Sequence, residues 1–303
     1  MKAAQFSQYG GPEVLDIVDL PDPHPGPGQV RIVVRAAGIS ATDPKLRAGT
    51  LAFGAQLPQT TGRDVAGVVD EIGEGVSDVS VGDRVFGVSD DGAGAAELAL
   101  VTFRAIIPRS LGFVDAAALP VALETATRAL DQLAVASGTT LFINGATGGI
   151  GSTAVQLAVA RGARVIGAAG PANQNYLSLL GAQPVTYGDG MAQRVRALAP
   201  GGVDVALDVA GNGVLPDLID LAGGAKNVVT LADFDGAKEH DVRFSNGFAD
   251  GHAFHSLARI GELIEAGQFW LPVDRTFPLA EIAQAHRVSE HGHVRGRLVL
   301  VVG

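Results

Sequence analysis

Apolar positions recur along this chain in two different arrangements. Up to about residue 110 they form short runs punctuated by Gly and Pro: Val30 to Gly38, Val65 to Gly73, Val81 to Val88 and Ala96 to Val101. Runs of that length and spacing predict strands of a small β-rich, barrel-like domain, interrupted by one helical turn from Asp43 to Ala48. Val114 to Leu133 then predicts helix, broken near Pro120, where the ring removes a backbone donor. From Thr140 strand and helix patterns alternate. Thr140 to Asn144 reads as a buried strand, Gly145 to Gly151 as a turn, Ser152 to Arg161 as a helix stopped by Gly162, and Arg164 to Ala168 as a strand. The alternation continues through helix Ala172–Leu180, strand Pro184–Tyr187, helix Met191–Leu198, strand Val203–Asp208, helix Gly213–Leu221 and strand Asn227–Leu231. An amphipathic helix over Phe254–Ala266 precedes a mixed tail with strand Val273–Phe277, helix Leu279–Ser289 and strand Gly296–Val302. Repeated βα units predict a doubly wound parallel sheet. The simplest layout is an α/β protein in which residues 116–267 form the nucleotide domain, inserted in a β-rich domain of residues 1–115 and 268–303. A ligand cleft is expected between the two.

The turn after the first strand of that sheet, Gly145-Ala146-Thr147-Gly148-Gly149-Ile150-Gly151, carries the chemistry. Ala146 takes the first position of a G-x-G-x-x-G pattern, Gly148 lets backbone approach phosphates, and Gly151 lets helix pack close to strand. The helix N-terminus behind it offers unpaired N–H groups to an anion. The turn therefore predicts a dinucleotide site, against a glycine-rich turn with no ligand. Ala210 and Gly211 follow one strand and Leu231 and Ala232 the next, at the carboxyl edge where ligands bind. The strand that would hold an adenine ribose ends Ala168-Ala169-Gly170, and no Asp or Glu occurs from Ser152 through Gly188. An NAD enzyme usually has an acidic residue there. Its absence favours NADP(H), with NAD(H) as the alternative, and Gly170, Asn173, Gln174 and Tyr187 as neutral neighbours of the ribose.

Composition narrows the partners. The 303 residues carry a formal net charge of −10 with no basic block, which speaks against nucleic acid and anionic membranes. The absence of cysteine excludes disulfides, thiolate nucleophiles and Cys-type zinc sites, and accords with a reducing cytoplasm. Neither a signal peptide nor an apolar run approaching the ~20 residues of a membrane span is visible. The pairs His252/His255 and His291/His293 lack the spacing of a ligand set, so no metal is expected.

Several stretches together carry a resemblance across nearly the whole chain: Pro27 to Val34, Ala37 to Asp43, Thr61 to Val69, Val81 to Gly87, Asn144 to Gln156 and Gly292 to Leu300. The chain resembles the medium-chain dehydrogenase/reductase superfamily, in its zinc-free quinone oxidoreductase branch. The resemblance implies a GroES-like β-domain with a Rossmann domain, and a homodimer joined at the Rossmann sheet edge, as relatives often form; the cytoplasmic location is the expectation from the absent cysteines and signal peptide. At the family's zinc-ligand positions stand Ser40, Arg63 and Asp64, a neutral, a cationic and an acidic residue. Without a Lewis acid, carbonyl polarisation falls to hydrogen bonds or a cation. That implies hydride transfer from NADPH to a quinone or an α,β-unsaturated carbonyl. In the motif Ser40-Ala41-Thr42-Asp43-Pro44-Lys45-Leu46-Arg47-Ala48-Gly49, Lys45 is expected beside the nicotinamide, stabilising enolate charge, with Asp43 holding Lys45 or Arg47. The other reading of these residues is a surface ion pair within one helical turn. Thr125 and Arg297 match family positions near the cofactor, although Arg297 is also readable as a surface cation. Phe6, Phe53, Phe244 and Trp270 could line an apolar pocket, and irregular segments at Ser89–Gly94 and Phe234–Phe254 could shape it. No tyrosine occupies the motif's alternative position, so solvent is the expected proton source. Two other functions fit the same resemblance: a dinucleotide-binding protein with little turnover, and an enoyl reductase acting on carrier-bound acyl chains.

Overall fold

The computed structural model describes residues 1–51 and 56–303; Phe53 lies outside them. The chain opens with β1 (Lys2–Phe6), β2 (Asp16–Asp19), β3 (Val30–Ile39), α1 (Thr42–Arg47), β4 (Gln59–Thr60), β5 (Asp64–Ile72), β6 (Arg84–Ser89), β7 (Leu98–Ile106) and α2 (Phe113–Ala117). There follow α3 (Pro120–Gln132), β8 (Thr140–Asn144), α4 (Gly149–Ala160), β9 (Arg164–Ala169), α5 (Gln174–Leu179), β10 (Gln183–Thr186), α6 (Met191–Leu198), β11 (Val205–Asp208), α7 (Leu215–Leu221) and β12 (Val228–Thr230). The last part comprises α8 (Phe234–Glu239), β13 (Arg243–Phe244), α9 (Gly247–Asp250), α10 (Ser256–Glu265), β14 (Val273–Pro278), α11 (Ile282–His291) and β15 (Arg297–Val301). Two units result: Met1–Val121 with Leu257–Gly303, and Ala122–Ser256.

In the first unit β3 is the strand that closes a barrel. It pairs with β5 along its length, with β15 at one end and with β7 at the other, while β6 bridges β5 and β7. Its inward side chains Val30, Ile32 and Val34 are fully or almost fully buried and meet Val65, Val69, Val85, Val101, Leu298 and Leu300. Burying each such aliphatic side chain contributes roughly 1.5–3 kcal/mol. β1, β2 and β4 form a separate three-stranded antiparallel sheet. Helix α10 falls almost wholly with this unit, whereas the sequence division assigns it to residues 116–267. Its buried Leu257 and Ile260, and the bond from Ser110 Oγ to Glu265 Oε1 (3.0 Å), account for that.

The second unit is built on one parallel six-stranded sheet, in the order β10-β9-β8-β11-β12-β13. Side chains alternate across it. Leu141 and Ile143 of β8 join Leu130, Val155, Leu177 and Leu207 on one face. Phe142 joins Ile166, Val195, Ala206, Leu215, Leu218 and Val228 on the other. The sheet is therefore buried from both sides, as a doubly wound sheet requires. The chain runs from β8 outward to β10, then returns to β11 on the other flank. That reversal between β8 and β11 is the topological switch point.

Several expectations are corrected. α4 starts at Gly149, inside the glycine turn and earlier than Ser152. Val81-Gly82-Asp83 is a turn and not strand: Ser80 N donates to Asp83 Oδ2 (2.7 Å), and Gly82 has φ +96°. The strand expected over Ala96–Val101 begins at Leu98 and extends to Ile106. The segment expected to be irregular over Phe234–Phe254 holds α8, β13 and α9. Among the described residues, no helix is long and apolar enough to cross a membrane.

Candidate active site

In the second unit the glycine turn lies at the carboxyl end of β8. Gly145 has φ +79°, and a Cβ there would come within 2.8 Å of the Ala210 Cβ. Ala146 is buried, and its N–H donates to Ala168 O (3.2 Å). Gly151 lies against the strand end, where a Cβ would approach Gly145 O to 2.1 Å. Gly148 is different. Its φ of −73° and ψ of 174° suit any L-residue, and a Cβ there meets nothing within 4 Å. Packing demands glycine at 145 and 151, whereas at 148 the glycine faces open space. Thr147, Gly149 and Ile150 are half-buried around that space. No side chain caps α4, so its first amides are left for an anion.

The neighbouring strand tips are held by residues that sequence reasoning missed. Asp208 is fully buried at the end of β11. It accepts from Asn144 Nδ2 (2.8 Å), Ala210 N (3.1 Å), Gly211 N (2.8 Å) and Thr230 Oγ1 (2.7 Å). Thr230 Oγ1 in turn accepts from Ala232 N and Asp233 N, both at 3.1 Å. One carboxylate thus organises the carboxyl ends of β8, β11 and β12, including Ala210, Gly211 and the turn after Leu231. The available signal was an acidic residue closing an otherwise apolar strand, Val205-Ala206-Leu207-Asp208.

At the end of β9, Ala168 and Ala169 are buried and Gly170 is half-buried beside Tyr187, which is 55 % exposed. Asn173 is half-buried, and Gln174 Nε2 donates to Ala169 O, Gly170 O and Val185 O. Thr125 is buried in α3, and its hydroxyl donates to Glu124 Oε2 (3.0 Å). Glu124 also receives Arg128 Nε (2.7 Å), Arg128 Nη2 (3.3 Å) and Ala253 N (3.2 Å). Burial would raise its carboxyl, but the Arg128, Ala253 and Thr125 bonds outweigh it and hold the group below the ordinary carboxylate range.

In the first unit Ser40, Asp43 and Lys45 stand together at α1. Asp43 Oδ2 accepts from Ser40 N (2.7 Å) and Ser40 Oγ (3.0 Å), while Ser40 Oγ faces Thr42 N (3.3 Å). These bonds close the turn that leads into α1, whose N-cap residue is Ala41. They overturn the expectation that Asp43 holds Lys45 or Arg47, because the carboxylate folds back onto the turn before its own helix. Arg47 is buried, bonded to Gly10 O (3.1 Å) and paired with Glu290. Lys45 is exposed. Asp43 is raised by burial, an effect opposed by Ser40 N–H and by Arg297.

Asp64 is fully buried, accepts from Val121 N (2.5 Å) and forms an ion pair with Arg297. Burial pushes its carboxyl up to about 6 despite Arg297. Arg297 is itself buried, which excludes the surface-cation reading. Arg63 adds a further positive charge near Asp43 and Asp64. Phe6 belongs to the core, Phe244 packs edge-on to Phe234 at 5.3 Å, and Trp270 is 47 % exposed.

A phosphate-ready turn at the switch point of a doubly wound parallel sheet, in a chain that also carries a β-barrel, is the form of a two-domain protein with a dinucleotide-binding domain. Residues 26–112 match the alcohol dehydrogenase GroES-like domain, and residues 180–300 match the zinc-binding dehydrogenase family. The quinone oxidoreductase of Rattus norvegicus is 32 % identical over all of this chain and 98 % of its own length. That of Lama guanicoe is 31 % identical over the same shares. The quinone oxidoreductase structure from Coxiella burnetii shares 31 % identity and a TM-score of 0.85, covering 100 % of this chain and 99 % of that one. A mycobacterial protein solved in complex with NADPH shares 27 % identity and a TM-score of 0.84, covering 99 % and 100 %. The chain belongs to the medium-chain dehydrogenase/reductase superfamily, in its quinone oxidoreductase-like branch.

Proposed function

We propose that the protein is a zinc-independent, NADPH-dependent oxidoreductase that reduces a quinone or an α,β-unsaturated carbonyl. The observation that carries the chemistry is the state of Asp64. A catalytic zinc needs about three good ligands. At the three relevant positions Ser40 donates to Asp43, Arg63 is cationic, and Asp64 is taken up by Arg297 and Val121 N–H. That donor set does not fit zinc. For the cofactor, the open face at Gly148 and the uncapped first turn of α4 fit a pyrophosphate. Ala146, Gly149, Gly151, Ala210, Gly211 and Ala232 supply the surrounding backbone. The uncharged end of β9, with Gly170, Asn173 and Tyr187, leaves room for a 2′-phosphate without repulsion.

A nicotinamide cofactor, when bound at this turn, would supply the hydride. The chain's own residues do the rest. Lys45 is an exposed ammonium on a helix fixed at its start by Ser40 and Asp43 and at its end by Arg47. Such a cation stabilises the negative charge that develops on the acceptor oxygen. Thr125, held by Glu124, contributes to orienting the cofactor. The protein works on a small acceptor, as a cytoplasmic homodimer.

Fluorescence titration tests the cofactor assignment: NADPH binds at least tenfold more tightly than NADH, and equal affinities remove the preference. Lys45→Ala lowers kcat with 1,4-benzoquinone by about 10²-fold, the loss expected for one charge-stabilising donor, and leaves NADPH affinity intact. An unchanged kcat removes the role of Lys45.

A further inference from the structure

The second unit holds a carboxylate–imidazole pair that the nucleotide turn does not use. His252 Nδ1 lies 3.4 Å from Glu124 Oε1. The ring is fixed from its other sides as well. Phe254 stacks on it at 4.6 Å and 19°, and Phe248 meets it edge-on at 5.6 Å and 76°. Gly247 lies under it: a Cβ there would come within 2.4 Å of both Cε1 and Nδ1, so glycine gives the imidazole its place. The His252 side chain is 28 % exposed, and Nε2 has no hydrogen-bond partner among the described residues. The charged groups gathered at this ring are Glu124 and Arg128, both from α3.

Its position in the sheet is set by Ser245. That residue follows β13, its N–H donates to Thr230 O at the end of β12 (2.9 Å), and its hydroxyl bonds Arg128. The group therefore stands at the carboxyl edge of the parallel sheet, the edge that carries the Gly145–Gly151 turn. Three strand spacings separate β8 from β13, about 15 Å, within one dinucleotide's reach of the phosphate turn.

We propose that His252, oriented by Glu124, donates the proton that completes reduction of the acceptor; this rests on the oxidoreductase reading above. The hydride from the reduced nicotinamide brings two electrons and bonds to an acceptor carbon, and the displaced π pair settles on the acceptor oxygen. The imidazolium Nε2–H bond then breaks, its proton bonds that oxygen, and its electron pair stays on Nε2. Solvent restores the proton. Glu124 Oε1 lies in ion-pair range of Nδ1 (3.4 Å); a carboxylate on that side favours the proton on Nδ1 and leaves Nε2 as the exchanging atom. Phe248, 64 % exposed, adds an apolar surface beside the ring that suits a flat quinone.

Two measurements test this. In cofactor-free, 15N-labelled protein, imidazole 1H–15N correlations report the Nδ1–H tautomer for neutral His252, reverting to the ordinary Nε2–H form in Glu124→Gln. In steady state, His252→Gln lowers kcat with 1,4-benzoquinone about 10²-fold, raises no NADPH dissociation constant and leaves the melting midpoint in place. An Nε2–H tautomer in the wild type, or a His252→Gln kcat within twofold of wild type, overturns the proposal. If Lys45→Ala abolishes turnover while His252→Gln does not, the proposal fails and the oxidoreductase reading stands. A wild type that binds NADPH but reduces neither a quinone nor an enone removes both.

Discussion

Gly148 and Gly151 belong to one turn, yet substituting them should have opposite consequences. At Gly148 the backbone is in the extended region and a methyl group meets open space. Alanine there removes unfolded-state freedom without adding strain, so Gly148→Ala keeps or gains stability, by about 0.4–1 kcal/mol. The methyl group does enter the volume assigned to the pyrophosphate, where backbone must approach closely. A displacement of the phosphates that loses only one charge-assisted hydrogen bond, about 1.5–3 kcal/mol, weakens NADPH by roughly 10- to 150-fold. At Gly151 the same methyl group would stand 2.1 Å from Gly145 O and 2.8 Å from Ala146 Cα. Both are backbone atoms of the turn, so α4 must move away from β8. Overpacking of that kind costs about 1–3 kcal/mol, which lowers the melting midpoint by roughly 2–10 °C. Thermal unfolding and NADPH fluorescence titration on the two variants separate the effects. If Gly148→Ala binds NADPH like the wild type, the phosphate site is not at this turn. If Gly151→Ala melts like the wild type, the close-packing argument is wrong.

Other consequences can be checked independently. Asp208→Ala leaves four donors around β11 without their acceptor and should cost about 3–5 kcal/mol in urea unfolding; a loss below 1 kcal/mol contradicts the network. His286 is fully buried, both ring nitrogens lack hydrogen-bond partners among the described residues, and burial with the nearby Arg47 charge lowers its pKa to about 3. The unfolded chain therefore binds a proton that the folded one refuses between pH 6.5 and 3, and stability falls as pH drops through that window. The slope is about 1.4 kcal/mol per pH unit, or about 2 kcal/mol by pH 5. Chemical denaturation of wild type and His286→Leu at pH 7.5 and 5 should show that excess loss only in the wild type; parallel losses refute it.

What could be read from the sequence was what is encoded locally. The glycine spacing from Gly145 to Gly151 and the apolar runs of β8, β9 and β11 specify their own geometry within a few residues. The same local logic missed β1, whose core-facing residues include only Ala3, Ala4 and Phe6, and β13, which is two residues long. Alanine contributes a weak strand signal, and two residues give no periodicity. Long-range pairs were out of reach. Arg297 meets Asp64 across 233 positions and Arg47 meets Glu290 across 243. Asp43 was assigned a cation from its own helix because sequence offers only neighbours. The folded chain instead supplied the amide and hydroxyl of Ser40, just before the helix. Glu124 and His252 are separated by a whole nucleotide fold, and nothing in either neighbourhood announces the pairing.

The central claim is that this site reduces an activated acceptor with NADPH and without zinc. The most direct measurement is NADPH oxidation at 340 nm with 1,4-benzoquinone, using protein exhaustively chelated and verified free of metal. The account predicts sustained turnover that added zinc does not raise. Absence of turnover in the metal-free protein, restored by zinc, would contradict it.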